Sequence, residues 1–131
     1  MKKLILVLAL IGLGSPSLAD EHDAESLDYG DFASVTLMVK GWEALGEGKY
    51  ENAIQYTEKC AELYEEQARE MQASLSAKPA TDVVNDYWAL NDVATCFFIK
   101  GKSYVKQNLP EKAKKIFKMI IKKFPHAQCY D

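Results

Sequence analysis

Two stretches of this chain share one register, sixty positions apart. Gly41, Ala44, Gly48, Tyr50, Ala53 and Cys60 are echoed by Gly101, Tyr104, Asn108, Pro110, Ala113 and Ile120. Each stretch reads as helix, tight turn, helix, with small residues where two helices would cross closely. Internal repetition of this kind constrains the fold more than any other feature, because each unit must bury its apolar face against its neighbour. No strand-like alternation competes with it.

Apolar spacing sets the helices. The first is expected over about 32–45, with Leu37, Gly41, Ala44 and Leu45 on one face. Gly46 and Gly48 end it, since glycine accepts left-handed backbone. The second runs over about 50–75 on a stripe of Tyr50, Ile54, Thr57, Ala61, Tyr64, Ala68, Met71 and Leu75, whose steps of four and three keep a seam against a neighbour. Pro79 lies in the break that follows. The third spans about 82–107 on Val83, Tyr87, Leu90, Ala94, Phe97, Gly101 and Tyr104. Asn108 is expected to cap the fourth, with Pro110 in the first turn and Glu111 three residues on, as in a capping box. In the fourth, Ala113, Ile116, Phe117, Ile120 and Phe124 face inward and Lys112, Lys115, Lys118 and Lys122 outward, until Pro125 stops it.

Helix pairs in this pattern resemble the tetratricopeptide repeat. Gly48-Lys49-Tyr50-Glu51-Asn52-Ala53-Ile54 is similar to the family's turn and second-helix start, and Gly101, Tyr104, Ala113, Phe117 and Pro125 fall at its spacing of small and large residues. The resemblance covers about 34–125. It implies an all-α fold, a short array of four helices. Trp42-Glu43-Ala44-Leu45-Gly46 also reads as the family's opening motif, but that register would force Glu58 into a tight helix crossing. The register of Gly41 and Ala53 keeps small residues there. Ala53 and Ala113 lie sixty residues apart, where the family repeats every ~34. The excess of about 26 residues, shared between the second and third helices, predicts a long central antiparallel hairpin with its tip near Lys78. A lost middle repeat is the alternative, and would show as a break near Tyr64.

The start of the chain reads as an export signal. Lys2 and Lys3 precede an apolar run over 4–13 too short to span a bilayer, then Gly14 and Pro16, and Ser17-Leu18-Ala19 offers small residues for cleavage. An uncleaved anchor is the rival. The expected organisation is a signal peptide over 1–19, an acidic flexible leader over 20–31 with six carboxylates, and one helical domain over 32–131, placed in a periplasm or secreted. Charge is uneven. Residues 20–99 carry five basic and 17 acidic groups, net −12, whereas 100–131 carry nine lysines against Glu111 and Asp131, net +7. Such asymmetry can guide docking, or the lysines can form a solvated helix face.

Chemistry has little support. The only histidines are His22 and His126, and no phosphate-cradling glycine loop, HExxH or GxSxG occurs. His126, Cys129 and Asp131 make a weak metal set, so no metal and no cofactor are expected. Glu62, Glu65, Glu66 and Glu70 read as a solvated helix face. No CxxC is present. Cys60 and Cys96 each lie 18 residues from Lys78, so a hairpin brings them to one level. A disulfide there would stabilise by roughly 3–4 kcal/mol in the chain-entropy model, while free cysteines would pack as small apolar groups. Cys129 is left over.

The aromatics say more. Val35, Met38 and Trp42 lie on the first helix's flank away from its core stripe, and Phe98, Lys102 and Lys106 on the matching flank of the third. The resemblance implies that these flanks line a concave peptide groove, here apolar with a basic end. Equally, Trp42 and Phe98 could complete the core. The family's polar clamp for a terminal carboxylate is absent, since Met38 and Trp42 occupy the positions it needs. The reading is a non-catalytic module of the cell envelope that binds a peptide or protein partner. The alternatives are a self-associating structural protein, as a homodimer, or an accessory subunit of an envelope assembly. The lysine-rich fourth helix could touch an anionic membrane surface, a lesser reading. Without arginine or interleaved surface aromatics it does not suit nucleic acid.

Overall fold

The computed structural model describes residues 26–129. The expected signal peptide and the acidic residues 20–25 lie outside the described residues. Four α-helices follow in order: α1 (Ser34–Gly46), α2 (Tyr50–Ala73), α3 (Trp88–Lys106) and α4 (Pro110–Lys123). No strand occurs among the described residues. Each helix packs on the next, and α1 also packs on α3. The helices thus form two layers, α1 with α3 and α2 with α4. The most protected segment is the first half of α3, where every residue from Ala89 to Cys96 is buried.

The two helix-to-helix turns are the same structure. Gly48 and Asn108, sixty residues apart, both take left-handed backbone, at φ 74° and 58°. After α1, the Lys49 N–H donates to the Ala44 carbonyl (2.9 Å) and the Gly48 N–H to Leu45 (3.1 Å). After α3, Leu109 donates to Tyr104 (2.9 Å) and Asn108 to Val105 (3.0 Å). This pair of bonds satisfies the last carbonyls of a helix and needs a residue tolerant of positive φ. Asn108 therefore closes α3 rather than capping α4. Leu109 holds the cap position, and no side chain bonds there.

The crossings repeat as well. A methyl group on Gly41 would stand 3.2 Å from Thr57 Cγ2, and one on Gly101 would collide with the Phe117 ring. Thr57 and Phe117 each lie 16 residues beyond their glycine. Ala53 and Ala113 are both buried. Glu58 is exposed and pairs with Lys100 at 3.0 Å, as the Gly41 register requires.

The long hairpin is present but lopsided. α2 runs unbroken through Tyr64 for 24 residues, against 13 in α1 and 14 in α4, and α3 has 19. The extra length expected at the start of α3 is instead an irregular tip, 74–83, and one 3-10 turn, Val84–Tyr87. The Ser74 hydroxyl donates to the Met71 carbonyl at 2.6 Å as α2 ends, a local bond of the kind that competes with continued helix. Val83, expected on the core stripe, is exposed.

Both ends of the described chain are fastened. Residues 26–31 are not a loose leader: the Tyr29 ring packs edge-on against Tyr56 at 5.7 Å and lies beneath the Lys59 ammonium at 5.7 Å. Phe32, expected in the first helix, precedes it with φ 60°, and its carbonyl accepts the Tyr64 hydroxyl at 2.7 Å. Beyond α4, Phe124 is buried and stacks on Phe97 at 6.0 Å. The His126 N–H then donates to Gln72 (3.0 Å) and the Gln128 N–H to the Asn91 side chain (2.9 Å), which itself donates to the Val84 carbonyl (2.9 Å).

Candidate partner-binding groove

Val35, Met38 and Trp42 recur at three- and four-residue steps, which places them on one face of α1. That face lies beside α3. At one end the Trp42 and Phe98 rings meet edge to face, with centroids 6.2 Å apart, and Phe117 of α4 stands 5.8 Å from Phe98. The Lys102 ammonium lies 5.2 Å from the Trp42 centroid and 5.3 Å from that of Phe98. It is held by two ring faces rather than by a carboxylate, a favourable placement for a cation. Trp42, Phe98 and Lys102 are all half-buried, so the cluster packs on the core and still offers one side to solvent. Lys106, one turn on, is exposed.

The other end is concave. Ser34, Val35, Met38, Asn85, Trp88 and Asp92 line a hollow of about 500 Å³ whose surface is mostly apolar. Met38 is buried beside it, while Val35 is 53% exposed. Trp88 is 40% exposed and braced edge-on by Tyr64 at 5.8 Å. Asp92 is buried, and its Oδ2 accepts the Ser34 hydroxyl at 2.5 Å. Burial pushes the Asp92 carboxyl above its ordinary pKa, and the Ser34 bond offsets this only in part. The α1–α3 face thus carries an acid at one end and lysines at the other.

Spacing along the sequence brought Trp42, Phe98 and Lys102 to one cluster and Val35 and Met38 to one wall. It missed Ser34, Asn85, Asp92 and the groove side of Trp88. The available signal was Asp92 itself, an acid amid an apolar run. Phe117, read as core alone, also joins the aromatic cluster.

The repeated turns and crossings are matched by comparison with known families. Residues 36–67 and residues 95–127 each fit a model described as a tetratricopeptide repeat. The chain belongs to the tetratricopeptide repeat family. Neither a curated protein nor a solved structure matches it. Tetratricopeptide repeats generally mediate contacts between proteins and are typically non-catalytic.

Between the two repeats, Cys60 and Cys96 face each other at the α2–α3 crossing. Both are fully buried free thiols, and the Cys60 sulfur beside it, together with burial, holds the Cys96 thiol well above the ordinary cysteine range. Cys129 is exposed on the tail. Among the described residues no three His, Cys, Asp or Glu side chains converge as a metal site, and no helix is long and apolar enough to cross a membrane. A smaller polar hollow of about 170 Å³ lies between α1 and α2, at Lys40, Glu43, Glu47 and Lys49. It lacks an apolar anchor surface.

Proposed function

We propose that this tetratricopeptide protein is a non-catalytic adaptor of the cell envelope that holds a peptide segment of a partner protein along the α1–α3 groove. The observation that carries the reading is the Trp42–Phe98–Lys102 cluster. Two large rings are kept half open beneath an ammonium group, at the end of an apolar hollow. Rigid aromatic anchors beside a positioned cation are the surfaces that supply most binding energy in peptide recognition. Export rests on the reading of residues 1–19.

Selection from a random-peptide display library tests the groove. The wild-type chain should enrich sequences that join an apolar or aromatic residue to an acidic one. Trp42→Ala combined with Lys102→Glu should weaken binding of the enriched peptides at least tenfold, with the helical circular dichroism unchanged. Unaltered affinity in that variant would place the site elsewhere.

Self-association is the second reading. Ile121 is 72% exposed on the lysine-rich outer side of α4, a helix that packs chiefly on α3. A second copy could cover that flank, with its acidic α2 set against the lysines.

A further inference from the structure

We infer that the hollow between Ser34 and Trp88 is a receptor for a cationic side chain, lysine or arginine, of the peptide held in the groove. The inference deepens the groove reading and rests on it, since the cation belongs to the groove's occupant.

Asp92 is 8% exposed, and no lysine, arginine or histidine pairs with it among the described residues. Among the described residues the Ser34 hydroxyl donates to it, through Oδ2. Yet among the described residues no fully buried side-chain oxygen or nitrogen lacks a partner. The second carboxylate oxygen is therefore not sealed in, and Asp92 lines the hollow. An acid placed so deeply without a counter-charge is costly, and the cost falls when a cation arrives.

The remaining walls suit the same guest. Val35 and Met38 give an apolar wall for a methylene stem, and the Trp88 indole lines the hollow beside them, an aromatic neighbour suited to a charged head. Other guests fit worse. A purely apolar side chain would bury the acid with its free oxygen unpaired, and an anion would meet like charge. Lys102 and Lys106 at the opposite end would take an acidic residue of the same peptide. The occupant then carries a basic residue toward the Ser34–Trp88 end and an acidic one toward the Lys106 end.

Acetyl-Gly-Lys-Gly-amide and its norleucine counterpart test the hollow alone. They are titrated into the ¹⁵N-labelled protein while the Trp88 indole resonance is followed, with Trp42→Phe used for assignment. The lysine peptide should shift that resonance saturably and bind about tenfold more tightly than the norleucine peptide, the scale of one charge-assisted hydrogen bond. Asp92→Asn keeps an acceptor for the Ser34 hydroxyl and should erase the preference. Trp88→Leu should weaken the lysine peptide in the wild-type Asp92 background. Equal binding of the two peptides, an intact preference in Asp92→Asn, or no shift with either peptide would overturn the inference. The groove reading fails separately, because its own variants, Trp42→Ala and Lys102→Glu, leave the hollow intact. A chain that selects library peptides yet ignores the lysine probe loses only the cation receptor.

Discussion

Asp92 places a carboxyl group in the most deeply buried stretch of the chain, and its effect on stability has a definite sign. Its folded-state pKa lies above the unfolded value, with burial as the main cause. Between the two values the folded chain holds a proton that the unfolded chain has released. Stability therefore falls as pH rises through that window, and the penalty is fully present above the folded pKa. Asp92→Asn should raise the thermal midpoint at neutral pH, and the gain should vanish on acidification below about pH 4, the ordinary aspartate range. Paired melting curves across pH check this. A variant less stable than wild type at neutral pH would mean that the charged Ser34–Asp92 bond outweighs burial. Ser34 and Asp92 were not legible as a pair because they lie 58 residues apart and share no repeat position. Phe32 escaped for another reason. Its helical spacing looks sound, but the turn at Tyr29 and the Tyr64 hydroxyl hold its backbone in the left-handed region, a cost of about 1–3 kcal/mol that only tertiary contacts can maintain.

At the scale of elements, most of the architecture was readable because the glycine and alanine positions are steric requirements. Gly101 meets the Phe117 ring so closely that Gly101→Ala should destabilise by about 1–3 kcal/mol, the usual range for overpacking. Gly41→Ala meets only a methyl group at 3.2 Å and should cost less. Denaturant midpoints of the two variants order them, and equal losses would mean that the α3–α4 crossing relaxes freely. Those two crossings, the turns at Gly48 and Asn108 and the four inward positions of α4 from Ala113 to Ile120 were all visible as spacing. The start of α3 was not. Val83, Tyr87 and Leu90 continue its apolar rhythm, but Asn91 fixes the preceding turn by donating to the Val84 carbonyl, and no periodicity reports a side-chain bond to backbone. The cap assigned to Asn108 failed similarly. Asparagine suits both a helix start and a left-handed helix stop, and the turn geometry chose the second.

The whole molecule is a short array with one flank uncovered. Six of the nine lysines from 100 onward lie on α4, which forms that flank, while α2 is rich in acidic residues. Light scattering after gel filtration, at low and high salt, separates the two functional readings. A monomer at both salts leaves the groove as the site. A dimer at low salt that dissociates at high salt makes pairing through the charged halves the leading role, because screening weakens exposed charge pairs. Charge asymmetry was legible from composition, but the route by which residues 124–128 return over the hairpin was not. Its bonds use backbone N–H groups of His126 and Gln128, donors that every sequence supplies.

That return path also sets a timetable. Tetratricopeptide arrays can in principle add stability one unit at a time as the chain emerges. Here Asn91 in the middle of the domain waits for the Gln128 N–H, and the ring of Phe97 waits for Phe124. A nascent chain that has produced α1, α2 and α3 still lacks the segment that closes them. A chain cut after α3 is therefore expected to leave its most buried helix partly uncovered, and so open to proteolysis, until α4 and residues 124–128 are added.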